Sequence, residues 1–188
     1  MKKTIIFMLM LALACGAMAQ EKASRYGLKS GIAQVTSTSS GNVSTGKQYF
    51  DDCGALETYI ATSMSPFGKV ETTTVIRDGK SWFVWPGKRP KQFDNPLADL
   101  SFVNLTDDVV EKYKIQEIGE EDYLGRMCTK YTYEIKQGPI RSYYTSWVYK
   151  GFCLKTITKA GRSEVIFEVT DFQEDVPVSP EVFEIFKK

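Results

Sequence analysis

The chain has 188 residues, with 24 Lys and Arg against 23 Asp and Glu and no histidine at all. A charge so nearly balanced gives no reason to expect nucleic acid or an anionic membrane surface as a partner. The missing imidazole excludes Ser-His-Asp and Cys-His nucleophilic sites and every zinc site that uses histidine.

Lys2 and Lys3 lead an apolar run from Ile5 to Ala14, followed by Ala17-Met18-Ala19. A basic start, a short greasy segment and an A-x-A site are the order of a secretory signal peptide. Residues 1–19 are expected to be removed after Ala19, leaving residues 20–188 as one domain in the periplasm. The apolar run is shorter than the about 20 residues a spanning helix needs, and no later stretch is apolar enough. Leu11-Ala12-Leu13-Ala14-Cys15 has the outline of a lipobox, so lipid anchoring at Cys15 is the alternative.

The rest reads as mostly β by its period. A run from Tyr26 to Thr38 ends at Ser39-Ser40-Gly41-Asn42, and Val43 to Asp52 closes at Cys53-Gly54. Leu56 to Met64 stops at Pro66-Phe67-Gly68. Val70 to Ile76 meets Asp78-Gly79, a strong hairpin signal because both residues tolerate positive φ, and Ser81 to Trp85 follows. Residues 86–105, with Pro86, Pro90 and Pro96, read as irregular. Thr106 can cap a helix from Asp107 to about Lys114, with Asp107 and Asp108 in its first turn.

Glu120-Glu121-Asp122 reads as an acidic turn before Tyr123. Beyond it, Thr129, Tyr131, Tyr133 and Ile135 alternate with polar residues, as do Val165, Phe167 and Val169. One wet and one dry face is the mark of antiparallel sheet. Turns at Gln137-Gly138-Pro139, Lys150-Gly151 and Ala160-Gly161 make a four-stranded meander from Arg126 to Phe172. The tail from Val176 to Phe186 is expected along an edge. The fold class is mainly β (α+β) with one or two short helices, as a strongly curved antiparallel sheet or a barrel, because a long flat sheet with bare edges would aggregate.

Cys53, Cys128 and Cys153 remain after the leader, an odd number, and read as small buried apolar residues. Cys128 and Cys153 fall on strands separated by one other, too far for a bridge. No nucleophile–base pair, metal-ligand spacing or glycine-rich phosphate loop is present, so the sequence reads as a non-enzyme without a cofactor. Asp51 and Asp52 are adjacent on a strand and face opposite sides.

Four segments carry a family resemblance. Val75-Ile76-Arg77-Asp78-Gly79-Lys80-Ser81-Trp82-Phe83-Val84-Trp85 resembles the strand, DGK and aromatic strand of bacterial outer-membrane lipoprotein-sorting proteins of the LolA/LolB type. Lys47-Gln48-Tyr49-Phe50-Asp51-Asp52-Cys53-Gly54 resembles their YFDDYG strand. Residues 147–155 resemble their W-V-x-K-G-x-x-L-K hairpin, and residues 176–185 their V-P-V ending. The resemblance implies an unclosed half-barrel sheet around a helical or loop plug, with a concave side that holds acyl chains or contacts other envelope proteins. It gives two functions to choose between. One is an exported protein binding a lipid, a lipoprotein acyl chain or another apolar ligand; the other is a non-catalytic interaction or sensor module with the concavity filled.

Trp82, Phe83, Trp85, Phe93, Phe102 and Trp147 are the candidate apolar lining. They either line such a concavity, which suits an acyl chain, or fill the core, where most large aromatics go. Lys88, Arg89 and Lys91 could meet a lipid head group or form a solvated loop.

Overall fold

The structure, a computed structural model, describes residues 24–66, 68–77, 79–98 and 100–185. The leader, Cys15 and the cleavage site lie outside these residues.

Among the described residues, eleven strands form a single antiparallel sheet. In chain order they are β1 (Gly31–Ser39), β2 (Asn42–Asp51), β3 (Leu56–Ser65), β4 (Gly68–Arg77), β5 (Lys80–Val84), β6 (Lys91–Phe93), β7 (Gln116–Tyr123), β8 (Arg126–Gln137), β9 (Ile140–Tyr149), β10 (Phe152–Ala160) and β11 (Ser163–Glu174). Their order across the sheet is β6-β5-β4-β3-β2-β1-β11-β10-β9-β8-β7. Two meanders, β1–β6 and β7–β11, join where β1 pairs with β11, and β6 and β7 are left as edges. The result is an unclosed half-barrel. The ladder slips between Gln34 and Val35, between Cys153 and Lys155, and between Glu117 and Gly119. Such bulges bend and twist a strand, and these three curl the β1 and β7–β11 half.

The plug is built from residues 24–30, the stretch around 95–105 and one helix, α1 (Asp107–Tyr113), capped by the Thr106 hydroxyl, which accepts from the Val109 N–H. Val109, Val110 and Tyr113 pack with Leu100, Ile115, Tyr133 and Ile135 against one half of the sheet. A second cluster, on the central strands β2, β1, β11 and β10, buries Tyr26, Leu28, Ala33, Phe50, Phe152 and Phe172. Phe50, Phe152 and Phe172 form a ring cluster, with Phe152 and Phe172 stacked at 4.9 Å.

Residues 26–30, which alternate as the start of a first strand would, serve the plug instead. The Tyr26 N–H donates to Cys53 O and the Gly27 N–H to Lys150 O, so this segment is tied to the turns of both meanders. Gly151 makes room for the crossing. It lies at φ +82°, and a Cβ there would come within 2.8 Å of Arg25 O, a position only glycine fills without strain.

Three other expectations need correcting. Residues 86–105 contain the short strand β6, which borders β5. The acidic stretch 120–122 belongs to the edge strand β7, paired to β8 through Tyr123 and Arg126. The tail does not follow an edge: a 3₁₀ turn at Pro180–Phe183 packs on β3 and β4, with Thr58 Oγ1 donating to Val182 O and Phe183 buried. Two apolar-lined interior strands offer Phe183 more burial than an edge does. The described cysteines are free thiols, and β9 separates Cys128 from Cys153.

Candidate functional site

Side chains two apart on a strand share a face. The ladder register therefore puts Phe50, Gln48 and Gly46 on one side of the sheet with Glu57, Tyr59 and Ala61 of β3. The same side carries Phe167 of β11, Thr156 and Thr158 of β10, and Tyr144 and Tyr133 of β9 and β8. This is the concave face. Between it and the plug lies a cavity of about 290 Å³. Its walls are Leu97, Leu100 and Phe102 from the plug and Tyr133, Tyr144, Phe152 and Phe167 from the sheet. The volume sits at the low end of the roughly 300–1,000 Å³ typical of small-molecule sites.

One wall is polar and charged. Glu57 Oε2 accepts from Arg25 Nη1 at 2.9 Å and from the Tyr26 hydroxyl at 2.5 Å, and Glu57 Oε1 accepts from Gln48 Nε2 at 3.0 Å. Arg25 also donates to Gly54 O and Leu97 O, which ties this cluster to the plug. Burial works against the Arg25 charge, but the neighbouring Tyr26 and Glu57 more than offset it, and the guanidinium stays ionised. Burial, reinforced by Glu57, holds Tyr26 well above the usual phenol range, so it remains a donor. A second polar line runs from the Tyr133 hydroxyl to Ser146 Oγ at 3.1 Å and on to Thr156 Oγ1 at 2.9 Å. Cys153 also faces the cavity. Burial pushes its thiol up to about 11, so it carries no thiolate at neutral pH. Among the described residues no group of three His, Cys, Asp or Glu side chains gathers as a metal site.

The six candidate aromatics are not brought together. Phe102 lines the cavity and packs on Tyr131 and Tyr133 at 4.9 and 5.6 Å. Phe83 shares the concave face through its pairing with Thr74, and Phe93 through Ser81, but both lie out toward the β6 edge. Trp82 pairs with Val75 and so faces the opposite side, the one the tail covers. Trp85 is 43% exposed and, with Lys88, Arg89, Glu71 and Glu184, lines an open groove there. Trp147 also points away from Ser146. It sits between the Lys130 and Lys155 ammonium groups, 4.7 and 5.3 Å from its ring.

Arg25, Tyr26, Gln48 and Glu57 do not stand out in the sequence as site residues. One signal for them is present. Glu57 and Gln48 occupy dry-face positions, in step with Tyr59 and Phe50, and a polar residue on a dry face needs a partner.

No family model and no curated protein matches the chain. Solved structures do. An uncharacterized conserved protein from Thermus thermophilus is 12% identical with a TM-score of 0.51, over 83% of this chain and 85% of that one. A domain named as outer membrane lipoprotein-sorting from Vibrio parahaemolyticus is 12% identical with a TM-score of 0.44, over 88% of this chain and 94% of that one. The Mycobacterium tuberculosis lipoprotein LppX is 11% identical with a TM-score of 0.44, over 81% and 90%. At such identities the likeness is one of fold, and the Thermus structure carries it. The half-barrel that the sequence resemblance implied is the fold this chain has.

Proposed function

We propose that this is an exported, non-catalytic envelope protein that holds the chain of a lipid, or a similar apolar ligand, between its sheet and its plug. The carrying observation is the cavity of about 290 Å³ with mainly apolar walls. This half-open space lies between two layers and is walled mainly by apolar side chains, which favours binding over the filled-module reading. Its neutral-thiol, histidine-free lining supports a holding role rather than turnover. The basic, short-apolar leader supports delivery to the periplasm, with anchoring through Cys15 as the second form of the same location. Among the described residues no helix is long and apolar enough to cross a membrane.

The test is uptake of a fluorescent single-chain lipid by the wild type and by Thr158→Trp. Thr158 lies on the cavity wall, and an indole there would occupy the space a chain needs. Saturable uptake that Thr158→Trp abolishes, with an unchanged circular dichroism spectrum, supports the proposal. Equal uptake by both proteins removes the cavity as the site.

A further inference from the structure

The cavity's charge balance says which head group it would take. Among the described lining residues the only ionised pair is Arg25 and Glu57, and they are bonded to each other at 2.9 Å. The other titratable groups facing the space are Tyr26, Tyr133, Tyr144 and Cys153, and burial raises the pKa of each. Among the described residues the wall is thus electrically neutral, with no spare cation for an anionic head group and no spare anion for a cationic one. An incoming carboxylate would have to take Arg25 from Glu57 and leave that carboxylate buried with the neutral donors Tyr26 and Gln48 but without its countercharge, and losing the countercharge is what makes breaking such a pair costly.

Hydrogen bonding adds a second argument. Besides the ion pair, the described polar lining includes the hydroxyls of Tyr133, Tyr144, Thr156 and Thr158 and the amide of Gln48. Groups of this kind both donate and accept, as a head-group hydroxyl does, and bonding between them leaves no net charge to balance.

We infer that the cavity selects single-chain lipids whose head group is uncharged and carries hydroxyls, such as a monoacylglycerol, over the ionised fatty acid of the same chain. The inference rests on the lipid-holding reading and specifies its ligand class. The exchange involves no covalent step.

The test is displacement of a neutral dye, N-phenyl-1-naphthylamine, from the full exported protein by three twelve-carbon amphiphiles. These are monolauroylglycerol, laurate at pH 8, where a carboxyl of ordinary pKa about 4 is ionised, and dodecyltrimethylammonium. The expected result is displacement by monolauroylglycerol at a concentration at least tenfold below either ion. Glu57→Gln keeps the shape and releases Arg25, so it should narrow or reverse the gap to laurate by at least tenfold. The wild-type comparison stands by itself if that variant does not fold. Laurate or the cation displacing as well as the glycerol ester overturns the inference and leaves lipid holding intact. No dye binding, and no binding of any of the three by calorimetry, overturns both.

Discussion

The Arg25–Glu57 pair gives the sharpest stability prediction. Both side chains are mostly buried, 15% and 11% exposed, and bonded at 2.9 Å. Replacing Glu57 with leucine removes the acceptor for Arg25, Tyr26 and Gln48 together, and leaves the guanidinium, among the described residues, with the Gly54 and Leu97 carbonyls as its acceptors. Removing one member of a buried pair costs about 3–5 kcal/mol, because the other charge is left uncompensated. Arg25→Met should cost less, near the lower end of that range, since Glu57 keeps two donors. Replacing both at once removes both desolvation costs, and such exchanges are often neutral. The double variant should therefore be more stable than the sum of the singles by about 2 kcal/mol or more, a coupling of the size found between directly bonded residues. Equilibrium urea unfolding of the four proteins measures this. With a slope of about 2 kcal/mol/M, Glu57→Leu should move the midpoint down by about 1.5 M or more. Additive singles, or a Glu57→Leu cost under about 1 kcal/mol, would show a solvent-screened pair and refute the buried pairing of Arg25 with Glu57.

The tail and the thiols yield two further predictions. Phe183→Ala should cost about 3–5 kcal/mol, the range for emptying a buried aromatic site, because Phe183, in the tail's 3₁₀ turn on β3 and β4, is 2% exposed. Trp85→Ala, at a 43% exposed position, should cost under about 1 kcal/mol, and urea midpoints of the two should differ accordingly. Stability should also fall above about pH 9. Burial raises Cys128 and Cys153 from 9.0 to about 11, so between these values the unfolded chain releases protons that the folded chain keeps, which favours unfolding as pH rises. Urea midpoints at pH 8, 9.5 and 10.5 should decrease in that order, and the decrease should shrink in Cys153→Ala.

Much of this architecture is legible because its cues are local. The Thr106 cap, the β4–β5 hairpin that pairs Arg77 with Lys80, and the turns of the second meander each need only a few neighbouring residues, and the structure has them where those residues stand. Strand β7 escapes a sequence reading because an edge strand has no dry face: Gln116 through Asp122 are all exposed, so no alternation marks it, and the charges that protect an edge read as a turn. The first strand reads as beginning too early because Tyr26 and Leu28 alternate like a strand while lying in the plug. Alternation also cannot say which side of a sheet is concave. Trp82 and Trp147 are as apolar as Phe83, yet only the register turns Phe83 to the concave side and the two tryptophans to the other. The polar wall is hidden for another reason. Arg25 and Glu57 are 32 residues apart, and their pairing depends on the crossing segment being tied to two distant turns.

The most direct measurement is native mass spectrometry of the protein before and after delipidation and incubation with monolauroylglycerol. A single adduct of one lipid per chain, absent after delipidation, restored on incubation and missing from Thr158→Trp, is the predicted result. An unliganded mass throughout, or the same adducts on Thr158→Trp, would contradict a lipid-holding cavity between sheet and plug.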